Sequence, residues 1–231
     1  MIAEYLGHFG DDLMVVNCAR VSFAKWTTEL RVQDAKLIRY LAEHKHISPF
    51  FHPGAQFRIT VPFFVAAQLK RHQVGFAINE VSRRYVDSAP TFYEPSEWRS
   101  RPDGSIKQGS GAALDPANQR IASAMYSRIV DVASTTYSSL LRIGVAPEQA
   151  RAVLPLAADT SWIWTGSLYA WARMCSERLA PSAQGETRVI AQQVSDTMAG
   201  LFPVSWPALV NMPTEGGSSN VGSNTDLAGA A

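Results

Sequence analysis

Residues 55–71 change from an alternating pattern to a helical one at a single proline, and this junction constrains the fold more than any other stretch. In AQFRITV, the apolar residues Phe57, Ile59 and Val61 alternate with polar ones, which predicts a strand with one buried face. Pro62 then opens the apolar stretch PFFVAAQLKRH at the position that proline favours in a helix. A half-buried strand that runs directly into an apolar helix predicts an α/β fold.

Other segments predict further helices, loops and a second strand. Residues 12–17 (DLMVVN) read as a short strand, and residues 44–53 (HKHISPFFHP) read as non-helical. The polar stretch 95–117 predicts a loop, and the segment after Pro213 is too polar to bury a core, which predicts a disordered tail. Helical patterns cover residues 33–43, 118–142, 147–154 and 186–202.

The longest of these predicted helices carries an apolar stripe and ends before Gly144. Its stripe consists of Ile121, Met125, Ile129, Val132 and Leu140. Because neither an internal repeat nor a linker divides the chain, we predict a single domain over residues 1–212 and a disordered tail over residues 213–231.

The composition narrows the possible function classes. Hydrophobic residues make up 46% of the 231 residues and the formal net charge is +1, which indicates a packed globular protein and argues against bulk binding of nucleic acid. No run approaches the length of a membrane span, and the N-terminus lacks the basic region of a signal peptide. The two cysteines, Cys18 and Cys175, make no disulfide framework, so we expect a cytoplasmic protein.

This nearly neutral chain gathers cations in one stretch, from Gln68 to Asp87. Gln68 and Arg71 lie three residues apart and therefore share a helix face. Guanidinium groups match phosphate oxygens, so the arginines here could bind a phosphate, with Glu80 holding one of them or accepting from a substrate. A surface salt-bridge network, worth about 0–1 kcal/mol per pair, would use the same residue types. The cations are Lys70, Arg71, His72, Arg83 and Arg84.

Two other sets of side chains carry weaker chemical signals. His44, His46 and His52 suggest metal ligands, but no acid or cysteine lies close enough in sequence to complete a shell, so we predict no metal site. Cys175 has apolar neighbours, which predicts a buried and inert thiol. The chain also has no glycine-rich phosphate loop of the P-loop or dinucleotide type.

Five blocks of the sequence resemble, in the same order, the flavin-dependent thymidylate synthases. The stretch RHQVGFAINEVSRRY is similar to the family's motif of RHR, a spacer and serine, with NE before the serine and RY after it. Gln73 replaces the usual third arginine, and eight residues separate it from Ser82 where seven are usual, a variant that resembles phage members. The other blocks are ARVSF, HISPFFH, VPFFVAAQ and PEQARAVLPL with WTGSL, and the resemblance covers about residues 12–210.

The resemblance implies a single-domain α/β fold with a mixed sheet and long helices. It implies reductive methylation of dUMP to dTMP without a cysteine nucleophile. The carbon donor would be 5,10-methylenetetrahydrofolate, and FAD reduced by NADPH would supply the hydride. A homotetramer with active sites between subunits is expected, in the cytoplasm of a bacterium or a phage-infected cell, without nucleic-acid or membrane partners.

The resemblance also assigns residues to the substrate and the flavin. For catalysis it implies Arg178, whose guanidinium would favour an ionised uracil ring, and Ser82 as a binding and polarising group rather than a nucleophile. The residues expected to bind dUMP are Gln68, Arg71, Glu80, Val81, Ser82, Arg83, Arg84, Arg151 and Arg178. Those expected to bind FAD are Ser22, His46, Ser48, Arg71, His72, Gln73, Glu80, Ser167, Tyr169 and Arg173.

Two other functions stay open at the level of sequence. Arginines of the cationic stretch, together with Tyr85 and Tyr93, could contact phosphates and stack on bases in a nucleic-acid-binding module, which predicts steep salt dependence. Alternatively, Gln73 and the longer motif loop would suit a nucleotide-binding protein that has kept the fold and lost synthesis.

Overall fold

The computed structural model describes residues 1–86, 88–102 and 109–210, and this part contains four strands and eight α-helices. The strands are β1 (Ile2–Phe9), β2 (Gly54–Pro62), β3 (Phe76–Glu80) and β4 (Asp159–Ser167). The helices are α1 (Asp12–Arg20), α2 (Val32–Glu43), α3 (Phe63–Leu69), α4 (Pro116–Arg142), α5 (Pro147–Ala150), α6 (Leu168–Arg178), α7 (Gly185–Leu201) and α8 (Ser205–Val210). Short 3-10 helices cover Val21–Phe23, Ser48–Phe51 and Arg151–Val153.

The strands form one sheet in the order β1-β2-β4-β3, and every neighbouring pair is antiparallel. The predicted α/β fold with long helices is therefore confirmed, but the sheet is not mixed. The central strand β2 pairs with β4 from Gly54 to Pro62 and with β1 from Gly54 to Thr60. The predicted inward residues of β2, Phe57, Ile59 and Val61, are fully buried.

The core lies between this sheet and six helices, α1, α2, α3, α6, α7 and α8. Trp162 and Trp164 of β4 turn inward with the apolar face of β2 and are buried. Trp171 of α6 packs edge-on against Phe57 with ring centroids 5.0 Å apart, and its indole Nε1 donates to Ala55 O at 3.0 Å. Since one buried cluster runs from Val15 to Leu209, the sheet and the helices share a single core.

The predicted strand at residues 12–17 is wrong, because this segment is the first part of α1. Asp11 caps the helix by accepting from Met14 N at 2.9 Å. The helix buries Val15 and Val16, while the buried carboxylate of Asp12 accepts from Val204 N and Ser205 N at 2.8 and 2.9 Å. The prediction rested on the apolar residues of this six-residue segment. It did not take into account the cap at Asp11 or the distant backbone groups that bond to Asp12, both of which favour the helix.

Two further segments differ from the sequence expectations. The predicted non-helical stretch 44–53 contains the 3-10 helix Ser48–Phe51, which begins with Pro49 in its first turn. In the predicted loop 95–117, residues 98–102 lie alongside residues 109–114 and bond to them as a short ribbon. Ser100 N donates to Ala112 O and Gly111 N to Ser100 O, so the described ends of the loop are ordered by backbone bonds. We call residues 98–102 and 109–114 the ribbon.

Helix α4 confirms the predicted long helix but exposes most of its apolar stripe. Ile121, Met125, Ile129 and Val132 are each more than half exposed, while Ala133 and Tyr137 contact the rest of the chain. In the described part of the chain, no helix is both long and apolar enough to cross a membrane. The predicted tail at 213–231 lies outside the described residues, and the single-domain boundary at residue 212 stays a prediction.

Candidate active site

Two pockets contain the residues that were predicted to bind dUMP, except Arg84, which lines neither of them. The strand pocket, of about 600 Å³, lies where β2 and β3 end and β4 begins. Its lining includes Glu80, Val81, Ser82, Arg83 and Arg151. The arginine pocket, of about 780 Å³, lies between the ends of α3 and α6 and the start of α7. Its lining includes Gln68, Arg71 and Arg178, together with Arg99 and Arg188. Among the described residues, no lining residue is common to both pockets.

Glu80 is fixed at the floor of the strand pocket because it is the last residue of β3. Thr160 of β4 donates its hydroxyl to Glu80 Oε1 at 2.6 Å, and Lys70 forms an ion pair with the same carboxylate. Lys70 Nζ also lies 4.9 Å from the ring centroid of Trp162. These contacts keep the carboxylate in one place, where its other oxygen can accept a hydrogen bond from a ligand hydroxyl or amide.

The cations of the strand pocket come from two loops. After β3, Ser82 Oγ accepts from Arg84 Nε at 3.3 Å, and Arg83 Nη1 donates to Ser88 O at 2.9 Å. Arg151 lies in a 3-10 helix that follows α5, and its Nε donates to Glu148 O at 3.3 Å. Among the described residues, no histidine or carboxylate bonds to the hydroxyl of Ser82, which therefore suits binding rather than nucleophilic attack.

Arg178 ends α6 and lies in the arginine pocket, where two contacts orient its guanidinium. Its Nε donates to His72 Nε2 at 2.9 Å, and its Nη2 donates to the backbone oxygen of Gln68 at 3.3 Å. Because His72 Nε2 accepts this bond, the imidazole is neutral. Burial lowers the pKa of His72 below its usual value and the Arg178 charge lowers it further, while Glu177 partly opposes them. The remaining N–H groups of Arg178 stay available to a ligand.

The neutral state of His72 predicts an acid-sensitive contact. A lowered pKa in the folded state means that the unfolded chain binds the proton more tightly, so this histidine destabilises the fold as pH falls below its usual pKa near ~6.5. In His72→Gln, the amide oxygen can accept from Arg178 at every pH. We expect the thermal stability of the wild type to fall relative to His72→Gln between about pH 7.5 and about pH 5.5. Parallel melting curves over this range would contradict the assignment.

Gln68 reaches the arginine pocket from α3, and both ends of its amide are held by α7. Gln68 Nε2 donates to the side-chain oxygen of Gln184, and Thr187 Oγ1 donates to Gln68 Oε1 at 3.2 Å. Thr187 is fully buried, whereas Gln184 lines the pocket. Gln68 was predicted from the sequence as a binding residue, but its two partners were not, because they lie 116 and 119 residues further along the chain.

The other arginines of this pocket have distinct roles. Arg188 Nη2 donates to the backbone oxygens of Ala180, Pro181 and Ala183, so it fixes the loop between α6 and α7. Arg99 comes from the ribbon and forms an ion pair with Glu186 of α7. By contrast, Arg71 is exposed, and its guanidinium forms no hydrogen bond or ion pair with another described residue. Arg71 is therefore the arginine here most available to an anion.

Several residues predicted to bind a flavin surround the turn that follows His72. Gly75 in this turn has φ +82°, and a Cβ there would lie 2.9 Å from Ala170 Cβ and 3.0 Å from Ser167 Oγ. The turn therefore packs directly against the start of α6, where the ring of Tyr169 lies 5.1 Å from that of Phe51. Ser167 is buried and caps α6 by accepting from Ala170 N at 3.2 Å, so its hydroxyl already has a structural partner.

The remaining residues of the predicted flavin set are exposed. Gln73 lies in this turn, and Ser48 begins the 3-10 helix that ends at Phe51. Arg173 lies close enough to His72 to lower its pKa. Ser22 lies in the 3-10 helix Val21–Phe23, and His46 follows α2 with its ring 6.2 Å from Tyr40. Within the described chain, Arg71 and Glu80 are the only members of the predicted flavin set that line either pocket, so the flavin contacts of the whole set stay predictions.

Neither thiol is activated. Cys175 is fully buried, burial raises its pKa well above the usual range, and its Sγ contacts Ala191 O at 3.5 Å. Burial also raises the pKa of Cys18. A thiolate nucleophile needs a lowered pKa, so these cysteines do not suit covalent catalysis. Within the ranges that the structure describes, no three His, Cys, Asp or Glu side chains form a group that could hold a metal ion.

Comparisons with known proteins show that this chain is similar to one family. A family model described as thymidylate synthase complementing protein matches residues 5–204. The flavin-dependent thymidylate synthase of Thermus thermophilus is 37% identical over 207 residues, which cover 90% of this chain and 74% of that protein. The enzyme of the same name from Kosmotoga olearia is 35% identical, with 90% and 89% covered.

A solved structure extends this similarity to three dimensions. It is the UMP/dUMP methylase PolB from Streptomyces cacaoi bound with 5-Br dUMP, with a TM-score of 0.79 and 31% sequence identity. The similarity covers 91% of this chain and 95% of that one.

Proposed function

Because the chain belongs to the family of thymidylate synthase complementing proteins, the flavin-dependent thymidylate synthases, we propose that it methylates dUMP to dTMP. The carbon donor is 5,10-methylenetetrahydrofolate, and FAD reduced by NADPH is the hydride source. The observation that carries the proposal is the placement of Arg178 beside Gln68 and Arg71 in the arginine pocket, with its guanidinium oriented by His72.

Arg178 activates the pyrimidine in this proposal. A guanidinium against the N3 and O4 edge of uracil stabilises the ring with negative charge, so that C5 is electron-rich enough to attack the methylene carbon of the folate. C5 then loses its proton, and the bond from the transferred carbon to the folate nitrogen breaks and releases tetrahydrofolate. When bound, reduced FAD would supply the hydride that converts the transferred methylene to a methyl group. This route needs no enzyme thiolate, which agrees with the burial of Cys175.

The strand pocket holds the rest of the nucleotide. Arg151 and the backbone around Ser82 offer cationic and neutral donors to the phosphate, and Arg71 adds a further cation from the arginine pocket. Arg84 lies beside the strand pocket through its bond to Ser82 and would add a cation at its edge. Glu80, held by Thr160 and Lys70, accepts from a hydroxyl of the sugar. A nearly neutral chain can bind this dianion because the cations are concentrated locally.

The residues around the turn after His72 fit an FAD molecule. The pyrophosphate of FAD is anionic, and the cations Arg71, Arg173 and Arg178 lie on or beside this turn. The hydroxyl of Ser48 and the amide of Gln73 are exposed and offer neutral hydrogen bonds. These groups would hold and orient the cofactor, whereas Ser167 supports the site by capping α6.

Each active site forms between copies of the chain in this proposal, and the assembly is a homotetramer. One chain places its predicted nucleotide residues in two pockets that share no described lining residue, and in this proposal the strand pocket of one copy completes a site with the arginine pocket of another. The exposed stripe on α4 supports assembly, since a stripe of large apolar residues on a helix surface favours burial against a partner. The free thiols favour a cytoplasmic location.

The α4 stripe predicts a variant that separates assembly from folding. Ile129 is 60% exposed on the single chain, so Ile129→Asp leaves the core intact but places a carboxylate in the proposed contact. We expect the variant to elute as a smaller species in size-exclusion chromatography, keep its far-UV circular dichroism and lose dTMP formation. Arg128→Asp, an exposed charge change next to it, controls for added charge. An Ile129→Asp protein of unchanged size would contradict the placement of the interface.

The activity itself is tested by measuring dTMP with FAD, NADPH, dUMP and methylenetetrahydrofolate present, and by omitting each in turn. We expect dTMP only in the complete mixture, and a protein that purifies with a flavin absorption band. The assay is repeated with UMP in place of dUMP, because the structurally similar PolB is a UMP/dUMP methylase. A protein that binds dUMP and flavin but forms no methylated product would be a nucleotide-binding relative that has lost synthesis.

A further inference from the structure

The amide of Gln68 is oriented by two side chains at the start of α7, one buried and one that lines the pocket. Gln68 Oε1 accepts from the fully buried hydroxyl of Thr187, and one N–H of Nε2 donates to Gln184. Both partners belong to the start of α7: Gln184 is its N-cap and Thr187 lies in its first turn. With these bonds formed, the carbonyl oxygen of Gln68 is directed at the protein, and the second N–H of Nε2 is the group left for a ligand.

The start of α7 is itself held in place by two arginines. Arg188 donates to three backbone oxygens of the loop before α7, and Arg99 of the ribbon pairs with Glu186. The side chains that orient Gln68 therefore have fixed positions. Such a rigid support is what a hydrogen bond of fixed direction requires.

We propose that Thr187 is a positioning residue that makes Gln68 a hydrogen-bond donor toward the pyrimidine. This inference rests on the proposed function. Arg178 offers only N–H donors, and with Gln68 Oε1 turned toward Thr187 these two side chains together present donors alone to a ligand in the arginine pocket. Uracil that has lost its N3 proton presents acceptors alone along O2, N3 and O4. The pocket thereby favours the ionised ring, in which C5 is nucleophilic, and disfavours cytosine, whose N4 amino group is a donor.

The test measures binding of dUMP and dCMP to the FAD-loaded protein by equilibrium dialysis. Thr187→Val removes the hydroxyl, so the Gln68 amide can rotate and present its oxygen to the pocket. We expect the Kd for dUMP to rise about fivefold or more, the effect of one buried hydrogen bond. We expect the ratio of the Kd for dCMP to that for dUMP to fall about threefold, because a rotated amide accepts from the cytosine amino group.

Matched variants separate positioning from general support. Thr187→Ser keeps the hydroxyl, so it should retain most of the wild-type selectivity. Thr197→Val removes a hydroxyl from the same helix that donates to Gln193 O at 3.1 Å, away from both pockets, and should leave both Kd values unchanged. If Thr187→Val proves too unstable to measure, Gln184→Met removes the other restraint on the amide and is expected to lower the same ratio.

The possible outcomes are distinct. A loss of dUMP binding that dCMP shares equally would mean that Thr187 only supports the pocket wall, and it would overturn the proposal. Unchanged dUMP binding in Thr187→Val would overturn it as well. Failure of the wild type to bind dUMP at all would instead contradict the proposed function, so the two failures can be told apart.

Discussion

Replacing Arg178 with alanine is expected to reduce the turnover number for dTMP formation by about 10²–10³ at saturating dUMP, the effect of losing one oriented donor that stabilises transition-state charge. The guanidinium bonds to His72 and Gln68, lines the arginine pocket and is the cation best placed to stabilise an ionised pyrimidine. The quantity to measure is the rate of dTMP formation, with single-turnover experiments to isolate the chemical step.

Two variants make this expectation specific. Arg178→Lys keeps the charge but lacks the planar fork, and we expect it to stay closer to Arg178→Ala than to the wild type. Arg58→Ala removes an exposed cation of β2 that pairs with Glu4, outside both pockets, and should leave turnover unchanged. A protein with Arg178→Ala that keeps more than about a tenth of the wild-type turnover would exclude Arg178 from the chemistry, since one decade corresponds to only ~1.4 kcal/mol.

Local patterns predicted elements whose stability comes from their own residues. The junction at Pro62 could be predicted because β2 alternates strictly and α3 follows at once. Helix α4 could be predicted because its long apolar stripe ends before Gly144, which has φ +88° in the structure. The strand β4 was not predicted, although Trp162 and Trp164 alternate with exposed or half-buried residues. Its apolar composition continues into α6, so no change of composition marks the boundary.

The site shows the same limit in a different form. Residues of the cationic stretch could be assigned because they fall in motifs that resemble a family. Their partners could not, because Thr160 meets Glu80 across 80 residues and Thr187 meets Gln68 across 119. Such contacts depend on how β4 and α7 are placed by the whole core, and a threonine in a strand or helix gives no local signal of them.

The same placement joins the two pockets through one short segment. Gln68 and Arg71 line the arginine pocket, whereas Lys70 between them pairs with Glu80 of the strand pocket. If the pockets of one chain complete different active sites, this segment belongs to two sites at once. A substitution in either pocket then affects a different site of the assembly, which allows a direct test of how the sites are built.

Two inactive variants are therefore expected to restore activity when they share an assembly. Arg178→Ala damages only the arginine pocket, and Arg151→Ala removes an exposed cation from only the strand pocket. Co-expression with two different tags, followed by sequential affinity purification, yields hybrids of both chains. In random hybrids a site takes an undamaged arginine pocket from one variant and an undamaged strand pocket from the other in about a quarter of cases, so we expect about a quarter of wild-type dTMP formation.

The control for this experiment is a chain that carries both substitutions, co-expressed with Arg178→Ala. Every arginine pocket is then damaged, so the hybrids should stay as inactive as Arg178→Ala alone. Sites built within single chains would give a different result, because each site of an Arg178→Ala and Arg151→Ala hybrid would keep one damaged pocket. Hybrids no more active than their parents would therefore contradict a site shared between copies. They would also leave unexplained why Arg178 and Glu80 line different pockets of one chain.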